Sequence, residues 1–341
     1  MQDEARRATG TDRHFRGFVR EDIPAVTALF DAADRADRLY KLADEENIRV
    51  TFEGPASSPE SMVTVAAFDG VLRGVGKVSP TFHSSARERI YGVMMRIHPS
   101  VRQEGLQHII AQRLVQWARE AEAGREREQA EKVRVRSYVF ETQAASIEAW
   151  EALGLRKVRT GWTMARPLDQ PVDGSPAPLG INLRTYRFPD DNSEALVAFN
   201  SAFSDYYDHH PISEAAWERE MGAPYSRPDL SWLAFSEEGI SEVVGIAGCQ
   251  VNEGENKQTD RLEGWIEGIG VVPAFRRRGI GKALLSHCLQ SLRDAALEIA
   301  LADVDSESVA AVRLFESVGF RARSALLQYE CSLADLRLQD Q

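Results

Sequence analysis

The sequence predicts a mixed α/β fold built twice in tandem. Three observations carry this reading. Strand-like apolar runs alternate with helix-period segments in both halves, the pattern of a mixed sheet covered by helices. Residues 166–180 hold four prolines and two glycines with little apolar content, the composition of a linker. Motif residues of the first half then recur in the second. Pro99, Arg102 and Gly105 match Pro273, Arg276 and Gly279 at an offset of 174 (273 − 99). Trp150 and Gly154 match Phe315 and Gly319 at an offset of 165 (319 − 154). The nine-residue difference (174 − 165) places an insertion in the first half, near the charged run at 124–132.

Taken in order, residues 1–14 are polar and charged and read as a flexible tail. The first folded half is expected over 15–166, a linker over 167–180, and the second half over 181–335. Each half opens with helical segments, at about 22–46 and 190–220. Strands follow at 61–68 in the first half, and at 230–235 and 243–251 in the second. The second half then has a strand at 265–272 that contains Gly268 and Gly270, and a basic turn leading into a long helix. In that helix Ile280, Leu284, Cys288 and Leu292 fall four apart and form one apolar stripe. A buried strand is expected at 300–305, a short helix at 307–317 and a last strand at 321–332.

Composition narrows the function. Of 341 residues, 43% are hydrophobic and 27% charged, which suits a soluble globular protein of about two domains. The net charge of −11 argues against nucleic acid as a partner. No apolar run is long enough to span a membrane, and no export signal is apparent, so a cytoplasmic protein is expected. The three cysteines, Cys249, Cys288 and Cys331, are odd in number and lack ligand spacing. They argue for a reducing compartment and against a metal.

The turn at 276–282 reads Arg-Arg-Arg-Gly-Ile-Gly-Lys and opens a helix. Backbone N–H groups at a helix N-terminus favour an anion. Gly279 and Gly281 allow close approach, and Arg276, Arg277, Arg278 and Lys282 add positive charge. A phosphate or pyrophosphate held mainly by main chain is the expected ligand.

These residues resemble the GNAT superfamily of acyl-CoA-dependent N-acyltransferases. Its Arg/Gln-x-x-Gly-x-Gly/Ala motif follows a strand ending in Val-x-Pro. Here Val271, Val272 and Pro273 precede Arg276, Gly279 and Gly281. The later aromatic-Glu-x-x-Gly-Phe signature corresponds to Phe315, Glu316, Gly319 and Phe320. The resemblance is strong over 185–332 and weaker over 16–166, and the layout is similar to tandem members. It implies acetyl-CoA as donor and a small-molecule or peptide amine as acceptor, with either a monomer or a homodimer. It further implies a bulge at Gly270 that splays two neighbouring strands and admits the thioester, pantetheine on the backbone of Ile269, Gly270 and Val271, the Val271 N–H as oxyanion donor, and pyrophosphate on Arg276 through Lys282, including Ile280.

A primary amine with a pKa near 10 is neutral in only about one molecule in a thousand at pH 7, so direct attack needs a base. The resemblance implies Glu267 in that role, with Glu263 as fallback. The alternative for Glu267 is a solvated strand-edge carboxylate. The chain departs from the family at two positions. Phe315 stands where a tyrosine commonly protonates the leaving thiolate. Ser308 stands where an asparagine is common, either bonding pantetheine or capping a helix. Tyr329 or water are the substitute acids. Residues 200–220 carry five acids and one arginine, and Asp205, Tyr206 and Tyr207 are expected to receive a cationic amine. The alternative is a solvated loop. His209 and His210 lack a third ligand partner and are not expected to bind metal.

In the first half Gln107 replaces the second glycine, Val93 the glutamate and Trp150 the phenylalanine. That half is expected to be degenerate, either structural or a weak CoA binder that helps frame the acceptor cleft. His83 and His98 read as surface or packing residues. The competing reading of the whole chain is a noncatalytic acyl-CoA-binding or ligand-sequestering protein.

Overall fold

The computed structural model describes residues 13–39, 45–53, 61–83, 86–125, 130–171, 174–238 and 242–337. Most of the expected tail and residues 126–129 of the expected insertion lie outside them. The chain forms two compact units. One comprises Met1–Thr160 with Leu326–Gln341, the other Gly161–Ala325.

The N-terminal unit contains β1 (Arg13–Gly17), α1 (Ile23–Ala36), α2 (Glu45–Glu53), β2 (Met62–Phe68), β3 (Val71–His83) and β4 (Glu88–Ile97). It continues with α3 (Leu106–Ala123), β5 (Lys132–Phe140), α4 (Ala144–Ala152) and the start of β6 (Arg156–Pro167). Strands β1 to β4 form an antiparallel meander and β5 joins β4 in parallel. One face packs on α1 and α2 through Val26, Leu29, Phe30 and Phe52. The other packs on α3 and α4 through Leu106, Ile110, Leu114 and Trp150. The helical pattern expected over 22–46 is broken after α1, where Arg38 takes a left-handed φ of 55°.

The C-terminal unit repeats this plan. It contains β7 (Ile181–Thr185), α5 (Asn192–Ala202), α6 (Glu214–Met221), β8 (Trp232–Ser236), β9 (Glu242–Gln250) and α7 (Glu253–Thr259). After these come β10 (Glu263–Val271), α8 (Ile280–Asp294), β11 (Ile299–Asp305), α9 (Val309–Ser317) and the start of β12 (Arg321–Ser332). Strands β7 to β10 are antiparallel and β11 joins β10 in parallel. Helices α8 and α9 cover one face, with the whole α8 stripe of Ile280, Leu284, Cys288 and Leu292 at most 1% exposed. Helices α5 and α6 cover the other through Ala195, Ala198 and Trp217.

The last strands are exchanged. Residues 326–332 of β12 pair antiparallel with β5 in the N-terminal unit. Residues 161–167 of β6 pair antiparallel with β11 in the C-terminal unit. Each inner strand thus gains the antiparallel neighbour its ladder requires, from the other half of the chain.

The repeat extends to buried charge. Arg16 grips Asp22 with two bonds of 2.6 Å, and Arg184 grips Asp191 at 2.6 and 2.7 Å. Each arginine also bonds the next carbonyl, of Gly17 and Thr185. Both aspartates sit at the entry to the unit's first helix, and the paired guanidinium holds each carboxyl below its usual range.

Candidate active site

Strand β10 is regular up to Glu267, which pairs with Gly248, and resumes with Gly270 opposite Ile246. Three steps on β10 span two on β9, so one extra residue is inserted, which makes a β-bulge. Gly268 takes φ +62°, and a Cβ there would lie 2.9 Å from Phe199 Cε2. A Cβ on Gly270 would meet Phe203 Cε2 at 2.8 Å and the Ala202 Cβ at 2.9 Å. Glycine is therefore favoured at 268 by backbone conformation, and at both positions by the close approach of Phe199, Ala202 and Phe203.

On its other edge β10 pairs with β11 only from Glu263↔Ile299 to Trp265↔Leu301. Val272 N–H bonds Val244 O on the β9 side. Donor direction alternates along a strand, so Val271 N–H faces the opposite edge, beyond the end of the β11 ladder. A main-chain donor thus stands at a slot between two parted strands.

The turn after β10 ends at Gly279, which has φ +88° and occupies the N-cap position of α8 without a side-chain cap. Arg277 is also left-handed, at φ 66°. The first N–H groups of α8, from Ile280, Gly281 and Lys282, open the helix without a side-chain cap from Gly279, at the positive end of its dipole. Arg277 and Arg278 are exposed. Arg278 stacks on Phe275 at 4.9 Å and meets exposed Glu238 at 3.2 Å.

Arg276 is engaged elsewhere. Its guanidinium bonds Asp205 at 2.6 and 2.8 Å, Ala202 O at 2.8 Å and Val271 O at 3.1 Å. Arg102 does the same in the N-terminal unit, with Asp37 at 2.5 and 2.9 Å, Ala33 O at 3.4 Å and Ile97 O at 3.3 Å. The motif arginine is a clamp between the turn and the end of the unit's first helix. Asp205 is its counter-ion, with a carboxyl held low first by the hydrogen bond from Arg276.

Tyr206 stands edge-on to Phe203 at 5.9 Å and so lies beside the bulge, while Tyr207 is 39% exposed on the same loop. His209 lies 6.2 Å from Phe203, and burial lowers its pKa. Glu267 shares the α5/α6 face of the sheet with Gln250, since paired residues point to the same side. Glu220 of α6 accepts from Gln250 Nε2 at 3.0 Å and from Tyr225 OH at 3.4 Å. The Tyr225 phenol is shifted up, first by burial, then by Glu220, with Glu267 adding to it. Tyr225 and Gln250 were not singled out by the sequence, and Glu220 enters there only as one of the five acids of 200–220, because nothing in their spacing links α6 to β9.

Glu263 sits at the far end of β10. It is 7% exposed, with Arg323 and Arg261 at 3.7 and 3.8 Å, and burial raises its pKa. Ser308 occupies the N-cap position of α9 without a side-chain capping bond. Phe315 is 2% exposed and packs edge-on to Phe320 at 5.0 Å. Tyr329 lies on the exchanged strand in the N-terminal unit and donates to Glu151 at 2.9 Å. Burial and that carboxylate push its phenol up to about 12.

The N-terminal counterpart differs. Gly105 keeps φ +74° at the start of α3, but Gln107 is buried. Strand β4 pairs with β3 without a bulge from Gly74↔Ile97 to His83↔Glu88. Its parallel ladder with β5 runs on to Val93↔Ser137, two residues past the point equivalent to Trp265. His98 caps the turn before α3, accepting from Ser100 N at 3.3 Å.

No helix among the described residues is long and apolar enough to cross a membrane. Residues 194–320 match the Acetyltransferase (GNAT) family. A protein of Salinispora arenicola named mycothiol acetyltransferase is 27% identical over 333 residues, covering 97% of this chain and 99% of its own. One of the same name from Thermobispora bispora is 29% identical over 301 residues, covering 88% and 92%. Among solved structures, a GCN5-related N-acetyltransferase from Sphaerobacter thermophilus superposes with a TM-score of 0.75 at 24% identity, covering 94% of this chain and 96% of that one. A tandem GNAT protein from the clavulanic acid biosynthesis pathway gives 0.71 at 12% identity, covering 94% and 99%. The motif residues, seated on a bulged strand and at the start of α8, thus lie within the segment 194–320 that matches the GNAT acetyltransferase family, and the fold plan of that segment is present twice along the chain.

Proposed function

We propose that the C-terminal unit transfers an acetyl group from acetyl-CoA to a primary amine by direct attack. The observation that carries this reading is the bulge at Gly268–Gly270, which sets the Val271 N–H at a parted strand edge next to the open N-terminus of α8. Pyrophosphate on the N–H groups of α8 and pantetheine along Ile269–Val271 bring the thioester into the slot. Val271 N–H then donates to the carbonyl oxygen as it gains charge. Glu267 takes the proton of the incoming ammonium, through water where the distance requires it. The C–N bond forms, the nitrogen gives its second proton to solvent, the tetrahedral intermediate collapses, and the C–S bond breaks.

Phe315 cannot supply a proton to the departing sulfur, and Tyr329 belongs to the other unit. A thiolate with a conjugate pKa of about 8.5 leaves without full protonation and takes its proton from solvent. Tyr206 and Tyr207 flank the acceptor path, and Ser308 is free to bond the pantetheine arm. The names of the near-full-length relatives point to the free-amine form of mycothiol as the acceptor. The N-terminal unit, with no bulge and a filled turn, carries out no acyl transfer.

The test is incubation of the purified chain with acetyl-CoA and the free-amine form of mycothiol, alongside a panel of simple primary amines, read by mass spectrometry of the amine. One added acetyl group per amine is expected. Glu267→Gln should lower kcat by about 100-fold or more while acetyl-CoA binding is retained. Full-rate transfer in that variant removes Glu267 from the chemistry.

A further inference from the structure

We infer that Asp303, oriented by Thr163, is a positioning residue that holds the cationic acceptor opposite Glu267; the inference rests on the reading of the C-terminal unit as an amine acetyltransferase. Strand β11 is an inner strand of its unit, flanked by β10 and by residues 161–167 of β6. Its neighbours Ala302 and Val304 are buried in the core beneath α8 and α9, so Asp303 points to the opposite face. An acid on that face of an inner strand would ordinarily be covered. Asp303 is instead exposed, which means that the face is open at this point.

The strand register places it. Trp265 pairs with Leu301, and from there β10 and β11 part. Glu267 and Asp303 each lie two residues further along the two strands, on the same face. They flank the slot from either side. Thr163, 4% exposed, is the cross-strand partner of Asp303 and donates its hydroxyl to Asp303 Oδ1 at 2.7 Å. A buried hydroxyl that bonds one oxygen restrains the carboxylate and leaves the acceptor capacity of the other oxygen for a ligand. No arginine or lysine is bonded to this carboxylate among the described residues, in contrast to Asp205. Two carboxylates suit an ammonium group that must arrive charged and be deprotonated at one side only: Asp303 holds the cation and Glu267 takes the proton.

The experiment compares wild type with Asp303→Asn, Thr163→Val and Thr163→Ser, using acetyl-CoA and the free-amine form of mycothiol. Asparagine still accepts from Thr163 and removes only the charge. Asp303→Asn should raise KM for the amine by about tenfold, the loss expected for one charge-assisted hydrogen bond, with the acetyl-CoA dissociation constant within about twofold of wild type. Thr163→Val should move amine KM in the same direction by less, and Thr163→Ser should restore it. An unchanged amine KM in Asp303→Asn, or an equal loss of acetyl-CoA binding, overturns the inference while leaving amine acetylation by the wild type intact. Absence of acetylation by the wild type overturns both.

Discussion

Arg276 illustrates how one residue type serves two ends. In sequence it belongs to a run of three arginines at a phosphate-binding turn, and charge alone assigns all three to the anion. The structure shows its guanidinium bonded to Asp205 and two carbonyls, where it ties the turn to the end of α5; in the proposed reaction it serves donor binding by holding the turn in shape. Arg276→Ala should weaken acetyl-CoA binding by about tenfold, measured by calorimetry, through loss of charge-assisted bonds that fix the turn. The twin clamps Arg16–Asp22 and Arg184–Asp191 make a prediction about acid. Both carboxyls titrate lower in the folded chain than in the unfolded one. Their stabilisation is therefore complete above the ordinary carboxylate value of about 4 and disappears as pH falls through the depressed folded values. Thermal melts between pH 7 and pH 2 should show Asp22→Asn and Asp191→Asn losing less stability on acidification than wild type. Parallel pH curves would show that the clamps do not set the acid limit.

At the scale of elements, β10 and β4 are the same strand with two fates. The bulge was legible because Gly268 and Gly270 sit inside an otherwise strand-like run, and interior glycines have few other reasons to be there. The parting of the strands was implied by the family resemblance alone, and the residue at which the β10–β11 ladder ends was not legible, since a strand's pattern fixes which face a side chain takes and not how far two strands stay paired. The same limit hid the Thr163–Asp303 and Gln250–Glu220 bonds, whose partners are far apart in sequence. In β4 the ladder with β5 continues through Val93, the turn residue Gln107 is buried, and the bulge is absent. These three changes close the places that acyl donor occupies in the reading of β10. Calorimetric titration with acetyl-CoA should give one site per chain, abolished when Gly279 and Gly281 of the C-terminal turn are replaced by valine. Two sites of comparable affinity would show that β4 accommodates the donor without a bulge.

The whole molecule is assembled by exchange, and this is where reading along the chain fell shortest. The repeat identifies 161–167 and 326–332 as equivalent strands. Equivalence makes each a fit for either sheet, because ladder bonds are made by main chain and both segments carry the same alternation. Side-chain partners show where each belongs. Glu330, 6% exposed, accepts from Arg134 at 2.5 Å and from Arg136, both on β5, and Arg134 is shared with Glu88 at 2.8 Å. Tyr329 on the opposite face reaches Glu151 of α4. Removal of residues 326–341 should therefore unfold the N-terminal unit first. It strips β5 of an edge partner and leaves two partly buried arginines short of a counter-ion, a loss of about 3 kcal/mol or more from the charges alone. Differential scanning calorimetry of the shortened chain should show a separate transition below that of the full chain. Glu330→Gln, which keeps the strand, should lower the same transition by less. A shortened chain that melts as the full chain does would mean that β5 is stable as an edge strand and that the exchange contributes nothing to the unit's stability.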